Sequence, residues 1–343
     1  MQISVLIVDD SPIFREALRD LLGSDPAITV VGTAANGQEA VEMTERLQPD
    51  LITMDIRMPV MDGLEAIEQI MADHPTPILV VTEDVSERLT FQALERGALE
   101  LIRKPGGPGL GLEGTRAREE LRSKVKLLSS IRVVRHVAGA RRRRVSTHEP
   151  RERHVRKHVV AIAGSTGGPR ALLRVLSSLP ADFPAGLLVV QHISRGFSLG
   201  LAEWLDQECA IRVRLARSGD SIEPALALVA PEDRHMLVTS GGRIDLDGSA
   251  PLEGHRPSAT LLFRSVASVF GARATGLIMT GMGSDGAEGL HDIYRSGGMT
   301  IAQDAATSTV FGMPRAAVEL GAARVVLPLE EIPRALRRAV CGS

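Results

Sequence analysis

The chain reads as two doubly wound α/β domains, the first on a five-stranded parallel sheet and the second on a mainly parallel sheet with a β-hairpin. Three observations carry this. Short β-rich runs alternate with helix-period apolar stripes through both halves, the pattern of parallel strands joined by crossover helices. The length, 343 residues, exceeds what one core usually serves. Between Arg132 and His158 stand ten Lys or Arg, opposed only by Glu149 and Glu152. A segment so charged buries too little surface to order itself and reads as a linker. The expected division is 1–125, a basic linker 126–157, and 158–343.

In the first domain the expected strands are VLIV (5–8), ITVV (28–31), LITM (51–54), ILVV (78–81) and LELI (99–102). Between the first two, Phe14, Ala17, Leu18, Leu21 and Leu22 draw one apolar helical stripe. A charged helical stretch follows from about Thr115 to Ile131. In the second domain VVAIA (159–163), LLVV (187–190), LALVA (226–230), GLIMT (276–280) and MTIA (299–302) read as strands. LVTSGGRIDL (237–246) reads as a hairpin turning at Gly-Gly.

Composition narrows the function. Apolar residues make up 44% and charged residues 24%, and 40 Lys plus Arg against 42 Asp plus Glu leave a net charge of -2. Nucleic-acid binding is not expected, since the balance is near neutral and the basic segment lacks aromatic residues for stacking. No apolar run is long enough for a membrane span, and the N-terminus does not read as a signal peptide. Cys209 and Cys341 are too few for a disulfide framework or a CxxC metal site, and read as plain thiols in a reducing cytoplasm.

The polar residues of the first domain gather at expected strand ends. Asp9 and Asp10 follow the first strand, Asp55 ends the third, Thr82 ends the fourth and Lys104 follows the fifth. In a doubly wound sheet those ends converge on one crevice. Three carboxylates there repel unless a hard dication such as Mg²⁺ sits among them. Lys104 and Thr82 suit phosphoryl oxygens. Taken singly, an Asp after a strand is more often a cap or a turn former. The stretches VLIVDDSPIFREAL, MDIRMPVMDGLEAI, VVT and IRKP resemble the receiver domain of two-component response regulators. The resemblance implies a flavodoxin-like fold, Asp55 as phosphoacceptor, Asp9 and Asp10 with Asp55 as Mg²⁺ ligands, and Thr82 and Lys104 as phosphate-sensing residues. Leu101 stands near the place where receivers usually carry an aromatic switch residue, and Glu83 follows Thr82 where a small residue is common.

In the second domain three strands run into polar turns: Gly164-Ser165-Thr166-Gly167-Gly168-Pro169, Gln191-His192, and Gly281-Met282-Gly283-Ser284-Asp285-Gly286. Ala171, Leu172, Val175, Leu176 and Leu179 form a helical stripe after the first turn. If the strands are neighbours, Ser165, His192 and Asp285 meet at one sheet edge. A serine hydroxyl needs a base, and His192 supplies one. A carboxylate on the other ring nitrogen fixes the tautomer, and Asp285 is the candidate. Backbone amides near Thr166 and in the Gly281–Gly283 turn could bind the oxyanion. Each residue has an alternative reading: Ser165 as a cap or part of a phosphate-cradling loop, His192 as a structural histidine, Asp285 as the cap of a helix beginning near Gly286. The G-x-S-x-G elbow is incomplete, with Ala163 at its first glycine, and the order Ser, His, Asp differs from that of α/β-hydrolases.

AGSTGGP, VVQHIS, GHRPSATLLFRS and MTGMGSDGAEGL are similar to the catalytic domain of the chemotaxis protein-glutamate methylesterase (CheB) family. The similarity runs from about His158 to the end, behind a receiver in the family's order. It implies a triad of Ser165, His192 and Asp285, with Thr166 and Met282 lending backbone amides to the oxyanion hole. It also implies a phosphorylation-activated esterase that hydrolyses glutamyl methyl esters and deamidates glutamines on methyl-accepting chemoreceptors. The implied phosphodonor is a chemotaxis histidine kinase. The implied location is the cytoplasm, with recruitment to membrane receptor arrays. No cofactor is expected in the esterase site. Many members carry an acid in the PSxD segment, where this chain has Ser258, Ala259 and Thr260. The competing readings are the same chemistry in a non-motility sensory array, a catalytically retired adapter, which calls for a broken triad where all three residues are present, and a DNA-binding response regulator, which calls for a helix-turn-helix after the receiver.

Overall fold

The computed structural model describes residues 2–83, 88–104, 115–131, 133 and 158–341. The chain divides into two compact units, Met1–Arg141 and Arg142–Ser343. The basic segment from 134 to 157, with Arg132, lies outside the described residues.

The first unit runs β1 (Ile3–Val8), α1 (Pro12–Gly23), β2 (Ile28–Ala34), α2 (Gly37–Leu47), β3 (Leu51–Met54), α3 (Gly63–Asp73), β4 (Ile78–Thr82), α4 (Arg88–Glu95), β5 (Glu100–Arg103) and α5 (Thr115–Leu128). Its sheet has the order β2-β1-β3-β4-β5, and every pairing is parallel. The order reverses at β1 and β3, so their C-terminal ends open the crevice where a doubly wound sheet binds its ligand. The α1 stripe works as expected: Leu18, Leu21 and Leu22 are buried, with Phe14 and Ala17 packed against them. Ser11 caps that helix by accepting from Phe14 N–H. The core reaches along α5 to Leu128, with Ile131 and Val133 packed on it.

The second unit runs β6 (His158–Gly164), α6 (Gly168–Leu176), β7 (Ala185–Gln191), α7 (Phe197–Glu208), β8 (Arg212–Leu215), β9 (Leu226–Val229), β10 (His235–Val238), β11 (Ile244–Asp247), α8 (Ala259–Phe270), β12 (Ala274–Ile278), α9 (Ala287–Arg295), β13 (Met299–Gln303), α10 (Met313–Glu319), β14 (Val325–Leu327) and α11 (Ile332–Cys341). Seven strands form one sheet in the order β14-β13-β12-β6-β7-β9-β8, parallel throughout. β10 and β11 form the expected antiparallel hairpin. No helix-turn-helix follows the receiver among the described residues. Two edge strands, β8 and β14, escape the sequence reading. RVRL and VVL are part-exposed, so they lack the continuous apolar run of a strand covered on both faces. The strand expected at 276–280 is β12, which starts earlier and ends at Ile278. Met279 and Thr280 continue as the turn that the site uses. Among the described residues no helix is long and apolar enough to cross a membrane.

Candidate active site

Three neighbouring strand ends build the site of the second unit. β6 pairs with β7 so that Gly164 stands beside Gln191, and His192 N–H donates to the Gly164 carbonyl at 2.9 Å. Ser165 and His192 are therefore the first residues beyond two adjacent strands, which lie about 4.8 Å apart. β12 flanks β6 on its other side, and the Ser165 N–H donates to the Thr280 carbonyl beyond it at 3.0 Å. The Gln191 side chain ties the two ends together. Its Nε2 donates to the carbonyl of Ser165 at 2.7 Å and to that of His192 at 2.9 Å.

Asp285 completes the cluster. Its Oδ2 lies 3.0 Å from His192 Nε2. That contact has hydrogen-bond length but not hydrogen-bond direction, and neither ring nitrogen has a partner in line with it. Catalytic pairs are often misaligned before substrate binds, and a small turn of the ring brings Nε2–H onto the carboxylate. Nδ1 is then the ring nitrogen turned away from the carboxylate. Asp285 does not cap α9, whose N-cap Gly286 has no side-chain bond. It caps α8 instead, accepting from Ser258 Oγ at 2.9 Å, Ala259 N–H at 2.7 Å and Thr260 N–H at 3.0 Å. Burial alone would raise its pKa. His192 and the α8 amides outweigh burial and hold the carboxyl far below the usual range. The Asp285 carboxylate is thus ionised at neutral pH and fixed by the start of α8.

The α6 N-terminus and the 281–283 turn supply the backbone. Among the described residues neither the Thr166 N–H nor the Met282 N–H has an acceptor. Thr166 is buried, and Met282 is 58% exposed. Free amides at a helix start and a turn are the donors an oxyanion needs.

The pocket of the first unit forms at the ends of β1, β3 and β5. Asp9 and Asp55 are buried and Asp10 is exposed. One carboxylate oxygen from each lies within 4.8 Å of the other two, close enough to hold a metal ion. Lys104 Nζ bridges Asp9 and Asp55 at 2.7 Å to each, and packs 4.8 Å from the Phe14 ring centroid. Burial is the largest influence on both aspartates and pushes their pKa up against the pull of Lys104. Burial would lower the lysine, but the two carboxylates hold it above its usual value. One cation among three carboxylates leaves the cluster electron-rich, and that fits a dication. Thr82 is buried at the end of β4, where its carbonyl accepts the Lys104 N–H at 2.8 Å.

Residues 160–336 match the family described as CheB methylesterase, and residues 5–113 match the response regulator receiver domain. The chain belongs to the CheB methylesterase family. It is 49% identical, over 98% of its length and 96% of the relative's, to a protein-glutamate methylesterase/protein-glutamine glutaminase of Anaeromyxobacter dehalogenans. A protein of the same description from Myxococcus xanthus is 43% identical over 99% of this chain and 97% of the relative. The crystal structure of the Thermotoga maritima CheB methylesterase catalytic domain is similar at TM-score 0.52 and 36% identity, covering 54% of this chain and 99% of that one.

Sequence reasoning missed three parts of this CheB-family site. The Gln191 tie is one. The second is the set of α8 donors on Asp285. The third is His255, whose ring stacks on His192 with centroids 4.4 Å apart and planes 11° from parallel. His192, His255 and Asp285 are near enough to hold a metal. The nearly parallel rings, however, direct their in-plane lone pairs side by side rather than at one point, and Asp285 is already taken by the α8 donors. Thr260, standing where many CheB-family members carry an acid, points inward: its Oγ1 accepts from Gly286 N–H at 2.8 Å. In the receiver, Leu101 is buried on β5 and Glu83 is exposed. Cys209 is buried, and burial, with Glu208 and Asp206 nearby, pushes its thiol up to about 12. It is an inert thiol at neutral pH.

Gly281 is required by close approach. A Cβ there would lie 2.7 Å from Ser165 Cβ and 2.4 Å from Met313 Sδ. Gly281→Ala is expected to destabilise the second unit by about 1–3 kcal/mol. It should also slow hydrolysis by about tenfold, because the clash displaces the serine. Thermal unfolding and initial rates on one preparation check both.

Proposed function

We propose that this chain is a phosphorylation-activated serine esterase that hydrolyses glutamyl methyl esters, and deamidates glutamines, on methyl-accepting chemoreceptors. In this reading residues 1–125 are the receiver, with a core running on to Leu128, 126–157 a basic linker and 158–343 the catalytic domain. The observation that carries the reading is the 3.0 Å approach of His192 to a carboxylate already held by three α8 donors, beside the strand end that bears Ser165. The curated names of full-length relatives support the substrate class.

Ser165 Oγ attacks the ester carbonyl while His192 takes its proton, and Asp285 stabilises the imidazolium. The amides of Thr166 and Met282 bind the developing oxyanion. The tetrahedral intermediate collapses, and methanol leaves with the proton from His192. Water, deprotonated by the same ring, then releases glutamate from the acyl-enzyme. With a glutamine side chain the leaving group is ammonia and the steps are otherwise the same.

In the receiver, Asp55 accepts a phosphoryl group from a chemotaxis histidine kinase. Asp9, Asp10 and Asp55 would hold Mg²⁺, which supplies positive charge for the phosphoryl oxygens. Lys104 exchanges its carboxylate partners for those oxygens, and the Thr82 hydroxyl donates to them. The protein works in the cytoplasm, recruited to membrane receptor arrays. Release of radiolabelled methanol from methylated receptor membranes, with and without a small phosphodonor, tests the whole reading. Asp55→Asn is expected to keep basal release and to lose all stimulation by the donor. Stimulation that survives this variant counts against Asp55 as acceptor. No methanol release from the wild-type chain counts against the esterase.

A further inference from the structure

His255 belongs to no part of the mechanism above, yet it covers one face of the catalytic imidazole. Its ring lies 4.4 Å from that of His192, only 11° from parallel. The chain takes trouble to place it. Leu252 and His255 exchange both backbone hydrogen bonds, at 3.1 and 2.9 Å. Between them Glu253 and Gly254 both have positive φ, 49° and 85°, the pattern of a type I′ turn. Glycine suits that conformation, and a glutamate there is strained. Arg256 fastens the segment by donating through Nη1 to the carbonyls of Gly248 and Ser249 at 3.1 and 2.9 Å. Ser258 N–H donates to His235 Nδ1 at 3.2 Å. Ser258, Ala259 and Thr260 then hold Asp285. One short anchored segment therefore carries both the ring on the base and the donors on its carboxylate partner.

We propose that His255 is a positioning residue: its flat ring clamps His192 so that one nitrogen stays on Asp285 and the other on Ser165. The inference rests on the serine-esterase reading. Neither nitrogen of His192 has an aligned partner, so hydrogen bonds alone do not fix the ring's rotation. A parallel neighbour limits it, because a large turn of His192 about its side-chain bond drives it into the stacked face, whereas the small turn onto Asp285 does not. Burial, then the neighbouring His192, hold the His255 pKa below the usual imidazole value against the pull of Asp285 and Glu253. At neutral pH the clamp is uncharged, and it does not repel the imidazolium that forms on His192. The demand is for a planar ring, not for a ring nitrogen.

The test is steady-state methanol release from methylated receptor membranes by the full chain carrying His255→Ala, His255→Leu or His255→Phe, each checked for an unchanged Tm. Alanine and leucine are expected to lower kcat by about tenfold or more with KM within about twofold, the mark of lost alignment without lost binding. Phenylalanine, which restores a flat face, should recover most of the rate. A folded alanine or leucine variant as fast as wild type overturns the proposal. So does a phenylalanine variant as slow as alanine, or a loss confined to KM. Should the alanine variant fail to fold, the phenylalanine and leucine variants, similar in bulk but not in flatness, carry the comparison alone. Ser165→Ala runs alongside. Release that survives it sinks the esterase reading and this inference with it. Release that it abolishes, with His255 variants like wild type, sinks the clamp alone.

Discussion

Replacing Ser165 by alanine is expected to lower methanol release by about 10⁴-fold or more while leaving KM for receptor membranes little changed. The size follows from what is lost. In the proposed mechanism no acyl-enzyme forms without Oγ, and water must attack the ester directly. His192 and Asp285 remain in place, but they serve a nucleophile that was never positioned. The loss should stop short of the uncatalysed rate, because the Thr166 and Met282 amides still face the oxyanion and remain worth about 10³-fold over water. Stability should barely move. The backbone of Ser165 is held through its N–H on Thr280 and its carbonyl under Gln191 and Gly168, and alanine keeps all three bonds. A rate within tenfold of wild type, in a variant with unchanged Tm, would remove Ser165 from the mechanism. Kinetics of the variant on methylated membranes and a thermal scan suffice.

The parts of this fold that were legible in the sequence are those whose physics is local. The buried strands announced themselves as apolar runs: all seven residues of β7 are buried, and LLVV at its centre is unbroken. The edge strands β8 and β14 face partly outward, so they mix charge with apolar residues and carry no such signal. The three polar turns were visible because glycines and polar side chains interrupt apolar runs at strand ends. What the sequence could not disclose is which of several plausible partners each polar residue takes. Asp285, beside Gly286, reads locally as the cap of the next helix, yet it caps α8, which begins 26 residues earlier in the chain. Only the packing of α8 against α9 creates that choice. His255 gave one usable sign. The Glu-Gly pair before it marks a turn, and a turn can aim the residue that follows. Its target, a ring on another strand end, is a tertiary fact. The resemblance to the CheB family pointed to Ser165, His192 and Asp285 together because its motifs record which residues meet, and local pattern does not.

Asp285→Ala is expected to do double damage, and the two losses separate with pH. In the proposed mechanism the carboxylate fixes the tautomer of His192 and stabilises its charged form, and its removal should cost about 10⁴-fold in kcat. In folding the same side chain accepts from Ser258 Oγ and from the amides of Ala259 and Thr260 at the buried start of α8. Alanine leaves those donors facing nothing, and also leaves the α8 dipole without its anion, a destabilisation of about 3–5 kcal/mol. The pH dependence has a definite sign. The folded pKa of Asp285 is depressed, so its contribution to stability is full above the unfolded aspartate value of about 3.9. It is lost as pH falls below that value towards the folded pKa. The gap in Tm between wild type and variant should therefore stay constant from about pH 7 to about pH 5 and close progressively below about pH 4. Asp285→Asn sharpens the reading. Its amide oxygen, in the place of Oδ1, still accepts from Ser258 Oγ and Thr260 N–H, so part of the stability returns, while its NH₂, in the place of Oδ2, faces both Ala259 N–H and His192 with a donor and imposes the wrong tautomer. An asparagine variant that is stable but nearly inactive separates the structural role from the chemical one. An asparagine variant with more than about a tenth of the wild-type rate would mean that His192 works without a carboxylate partner, and the triad would reduce to a pair.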